Sequence, residues 1–158
     1  MIMEKDYNSI VERLLEAPHW VIDMLPQQVS PDSLVQFFAV EKYYLNEYYN
    51  DRPLLPLYRQ FRDVLLKLNC YHDLVVNYAP NDKWVKNPEP AQLYSWLTKS
   101  LGHSHLCVLV DDEEALITAS SGDSYLTLYN PSEELVKLVG QLATAAGLFL
   151  WQPPCENE

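Results

Sequence analysis

Apolar and polar positions recur with two periods along this chain, and the switches between them outline its elements. The clearest statement is 124–154, SYLTLYNPSEELVKLVGQLATAAGLFLWQPP. Tyr125, Thr127 and Tyr129 alternate with Leu126 and Leu128, as on a strand with two unlike faces. Leu135, Leu138, Val139, Leu142 and Ala146 then recur at helical spacing. Asn130, Pro131 and Glu133 predict the helix start, and Gly147 its left-handed end. The run 148–151, closed by Pro153 and Pro154, predicts a short strand. A strand, a helix and a strand joined by short loops predict parallel strands with a right-handed crossover.

Helical stripes also cover 4–16, 54–68 and 89–101. Apolar or alternating runs predict strands at 20–25, 36–45, 73–78, 105–110 and 115–119, with a short one at Trp84-Val85. The run QFFAVEKYYL at 36–45 is rich in aromatic and β-branched residues, which favour strands. The expected fold is therefore α+β: a mixed, largely antiparallel sheet or sheets with about four helices. A single compact domain over 1–158 follows from the length, with a proline-rich linker at 80–90. The order of elements suggests an α-β-β-α-β unit at 4–79 repeated at 91–154, with 36–45 answering to 124–129.

Composition narrows the function more than it defines it. The 22 acidic and 11 basic residues give a net charge of −11, which repels nucleic-acid phosphates and anionic lipid. No apolar run approaches the roughly 20 residues that span a bilayer. Three cysteines without CxxC spacing suit reduced thiols in a cytoplasmic protein. Four glycines leave no P-loop or dinucleotide fingerprint, and GxSxG and HExxH are absent, so no cofactor is implied.

Three groups of residues carry candidate chemistry. His103 and His105, with Asp111 and Asp112 of the acidic run DDEE, could ligate a divalent metal; the bland reading is surface histidines and a solvated turn. Cys107 lies two residues from His105, as a Cys/His pair or simply as a small buried residue. Asp23, Glu41, His72 and Asp73 fall in or beside apolar strands and would form a polar pocket if they shared a sheet face. Tyr43, Tyr44, Tyr48, Tyr49 and Tyr58 suit either a protein interface or the edge of a core.

The leading expectation is a soluble, non-enzymatic protein-binding module, of adaptor or immunity type, opposing a basic protein partner. The alternatives are a small metal-dependent hydrolase and a ligand-binding module with a pocket between the two halves.

Overall fold

The structure is a computed structural model that describes residues 5–45, 56–78, 83–101, 104–120 and 122–154. Among them the fold is α+β, with five α-helices and one seven-stranded antiparallel sheet. In chain order the elements are α1 (Tyr7–Leu14), β1 (His19–Asp23), α2 (Leu34–Leu45), α3 (Pro56–Leu68), β2 (Leu74–Tyr78) and β3 (Trp84–Lys86). There follow α4 (Pro90–Ser100), β4 (Leu106–Val110), β5 (Ala115–Ala119), β6 (Tyr125–Tyr129), α5 (Glu133–Ala145) and β7 (Phe149–Trp151). The strand order is β3-β2-β4-β5-β6-β1-β7.

Period-2 alternation divides the sheet into two unlike faces. Ile22, Val76, Val108, Ile117, Leu126 and Leu128 point to one face and pack against α3, α4 and α5. The stripe of α3 is the centre of that core, with Leu57, Phe61, Val64 and Leu68 all at 0% exposure. On the other face α1 covers only part of the sheet, through Leu14 packed with Val75, Leu109 and Leu116. The remainder of that face, over β6, β1 and β7, is left for the segment that follows β1.

Both β6 and β7 pair antiparallel with β1, so they run parallel to each other with β1 between them. The parallel relation expected from the strand–helix–strand order holds, with an N-terminal strand inserted in the gap. The helix start differs from expectation by two residues. Ser132 caps α5 by accepting the Leu135 N–H, while Asn130 takes a left-handed φ of 58° and donates to the Glu114 carbonyl. Gly147 ends the helix at φ +81°, and Gln60 of α3 donates to the adjoining Ala146 carbonyl at 2.8 Å.

One expected strand is a helix. Residues 34–45 form α2, entered through a 3-10 turn at Pro31–Ser33 in which Ser30 accepts the Asp32 N–H. Ser30-Pro31 is a helix-start signal, cap and proline together. The apolar run that follows is equally compatible with either period, so local β propensity misleads there. The proposed repeat required a strand at this place to match 124–129, so the two halves differ in element order. Within the expected linker 80–90, Trp84–Lys86 form β3 and pair with β2.

Gly147→Ala should cost about 1–3 kcal/mol, because the position needs φ > 0 and a Cβ would come within 2.9 Å of Gln60 Nε2. Gly122→Ala has the same φ problem at +82° but open space around it, and should cost less. Equilibrium denaturation of the two variants checks the order.

Candidate functional site

The antiparallel register sends the candidate residues to two opposite ends of the sheet. Val110, Ala115 and Tyr129 define one end; Leu106, Ala119, Tyr125 and Asp23 define the other. His105 precedes β4 and Asp111 follows it, so the five-residue strand holds them roughly 16–20 Å apart. They cannot ligate one ion together, and His103 lies outside the described residues. No group of three or more His, Cys, Asp or Glu is gathered for a metal among the described residues.

The acidic turn is instead neutralised by its own chain. Lys5 and Lys86 reach Asp111 at 3.0 and 3.6 Å, and His72 Nδ1 lies 3.1 Å from Asp112. Arg13 pairs with Glu114 at 3.4 Å, and the Ser132 hydroxyl donates to Glu113 at 2.7 Å. Each of the four carboxylates has a partner drawn from another element. The turn therefore fastens α1, β3 and α5 to the end of β4. Asp73 belongs to the same end, where its carbonyl accepts the Asp111 N–H. His72 and Asp73 thus stand apart from Asp23 and Glu41, because Leu74 begins β2 opposite Val110, at the other end of the sheet from Asp23.

His105 does meet Cys107. Its Nε2 lies 3.4 Å from Sγ, and its Nδ1 lies 3.3 Å from the Ser120 hydroxyl. Burial pushes the Cys107 thiol up to about 11, so the thiolate needed for attack is scarce at neutral pH. The geometry of a nucleophile and base is present without the activation.

Asp23 and Glu41 converge at the opposite end. Asp23 closes β1 opposite Tyr125, the first residue of β6, so their side chains share the face not covered by α3–α5. Asp23 is 9% exposed and accepts the Leu25 N–H at 3.3 Å. Glu41 reaches in from α2 and accepts the buried Ser124 hydroxyl at 2.7 Å. Asp123 completes the group, and its carbonyl accepts the Tyr58 hydroxyl at 3.4 Å. Sequence reasoning did not single out Asp123 or Ser124, which sit in an ordinary turn signal.

The electrostatics of this end are one-sided. Burial is the main cause that raises the Asp23 carboxyl above the ordinary range, and Glu41 adds to it. The Asp123 carboxyl is raised by burial and again by Glu41. Burial, then Asp123 and Glu41, push the Tyr58 phenol up to about 12. The Trp151 indole acts on Asp23 in the opposite sense without meeting hydrogen-bond geometry.

Beside the carboxylates a groove of about 490 Å³ lies over β6, β1 and β7. Its floor holds Asp23, Tyr125, Thr127 and Trp151, and Gln28 and Phe37 stand in its walls. These residues come from both sides of 80–90.

The tyrosines divide. Tyr58 is 5% exposed and packs on Phe61 in the main core, so it cannot touch a partner; its place on the stripe of α3 puts it there. Tyr44 is 42% exposed on α2. The side chain of Tyr43 and all of Tyr48 and Tyr49 lie outside the described residues.

Asp23→Asn should stabilise the chain at pH 7. The raised native carboxyl means that ionising it opposes folding. The gain should shrink as pH falls through the raised native value and vanish below the ordinary value of about 3.9. Denaturation of both proteins across that range reads it. Cys107 should be alkylated far more slowly than the exposed Cys70 at pH 8, as peptide mapping after iodoacetamide would show.

Comparison with known proteins finds no family model, no curated protein and no solved structure that matches this chain.

Proposed function

We propose that the protein is a non-enzymatic binding module that docks a basic protein partner on α2. The observation that carries this reading is the helix itself. Its sequence LVQFFAVEKYYL is apolar almost all round, and a helix of that kind is ordinarily buried. Here Val35 is 81% exposed and Phe38 52%, with Leu34, Val40 and Tyr44 also open. A contiguous exposed apolar surface of this sort marks an interaction site more often than an idle face.

Charge supports the class of partner. Asp32 lies in the turn that leads into α2, and Glu41 of that helix lies beside Ser124 and Asp123. With a net charge of −11 over the whole chain, such a surface attracts a basic protein and steers its approach. The arrangement suits a partner with an apolar stripe flanked by lysine or arginine. The reading is of binding alone, and the unactivated thiol of Cys107 is consistent with it.

Affinity capture from the host lysate, repeated with a Val35→Ser, Phe38→Ser double variant, tests this reading. One basic protein should be captured in near-stoichiometric amount, lost with the double variant, and weakened as salt rises. Capture that the double variant leaves unchanged would overturn the assignment to α2. Self-association through that helix, read by sedimentation, would give the face to a second copy instead.

A further inference from the structure

The groove over β6, β1 and β7 brings together features that an acidic patch lacks. Its volume of about 490 Å³ falls within the range of roughly 300–1,000 Å³ that holds small ligands. Tyr125, Tyr129, Trp151 and Phe37 line it with aromatic rings. Asp23 lies in the floor at 9% exposure, and no lysine or arginine is ion-paired with it among the described residues. A desolvated carboxylate ordinarily has a cationic partner or several hydrogen bonds. Asp23 instead accepts the backbone N–H of Leu25, with the Met24 N–H and the Trp151 indole near enough to act on it.

These features select a ligand class. Ring faces are electron-rich and attract cations, best when the cation is desolvated. The Asp23 carboxylate adds negative charge in the same space, and Glu41 lies close enough to act on it. An anion would be repelled. A neutral aromatic would stack on the rings but leave the carboxylate without a cationic partner. A bare metal ion would need several converging ligands, which are not gathered among the described residues. An organic cation satisfies both the rings and the charge.

We propose that this groove binds an organic cation, an alkylammonium or guanidinium head group, with Asp23 as its counter-ion and the rings of Tyr125 and Trp151 as its walls. The cross-strand register fixes the geometry: Asp23 lies opposite Tyr125 on one side, and Val21 lies opposite Trp151 on the other. Three adjacent strands therefore present the charge and both rings on one face. The inference does not rest on what docks on α2. The head group could belong to an arginine side chain of a protein or to a free quaternary ammonium.

Titration of the isotopically labelled full chain with L-argininamide and with choline, following the indole N–H signal of Trp151, tests the proposal. The signal is assigned by its loss in Trp151→Phe. The neutral isostere of choline, 3,3-dimethyl-1-butanol, is titrated beside them. At least one cation should give a saturable shift with Kd on the order of 1 mM, as expected for a head group without its scaffold. The neutral isostere should not. Asp23→Asn keeps the acceptor for the Leu25 N–H, removes only the charge, and should weaken binding about tenfold or more. Tyr125→Leu should weaken it as well, and Asp112→Asn at the far end of the sheet should not. Preference for argininamide assigns the site to a protein side chain; preference for choline assigns it to a free ligand. Absence of saturation with both cations, an equal response to the neutral isostere, or undiminished binding by Asp23→Asn would overturn it.

Discussion

The position of β1 between β6 and β7 is the constraint on which the rest of the molecule depends. An N-terminal strand is held there by ladders to two C-terminal strands, five residue pairs on one side and three on the other. That insertion joins the first half of the chain to β6 and β7, as the β2–β4 ladder joins it to β4. It places Asp23 at the sheet end where β6 begins. It also forces the segment after Asp23 to cross that end before the chain can reach α3. The segment does so as α2, with Phe37 in the groove on one face and Leu45 packed against the main core of the other.

The two ends of the sheet handle negative charge in opposite ways. At the end of β4, four consecutive carboxylates are paired with lysine, histidine, arginine and serine from α1, β3, α5 and the loop before β2. Such exposed pairs are individually weak, yet together they tie elements to a turn that would otherwise repel itself. At the opposite end burial, and then Glu41, raise the Asp23 and Asp123 carboxyls, and the donors to Asp23 and Glu41 are a backbone N–H and a hydroxyl. Burial makes this second cluster costly to the fold. Its position beside an aromatic groove and an exposed apolar helix sets that end of the sheet apart from the other.

Much of this architecture was legible along the chain. Alternation at Tyr125–Tyr129 put Leu126 and Leu128 on the core face. The α3 stripe placed Phe61 and Val64 at the centre, and Gly147 marked a left-handed helix end. Asp23 and Glu41 stood out because each interrupts an apolar run. The segment 36–45 was misread because an apolar run without clear periodicity supports either element, while the deciding signal lay upstream at Ser30-Pro31. The same misreading supported a repeat whose halves do not share an element order.

The sequence by itself determined the class of the fold, the faces of most of its strands and helices, and the identity of the buried carboxylate Asp23, because side-chain period and local caps are properties of neighbours in the chain. Only the tertiary structure decided which of those residues meet. Antiparallel register sets His72 at the sheet end opposite to Asp23, while β1, inserted between strands more than a hundred residues away, brings Asp23, Tyr125 and Trp151 to one groove. Strand order depends on long-range pairing, and no local pattern encodes which strand will lie beside which.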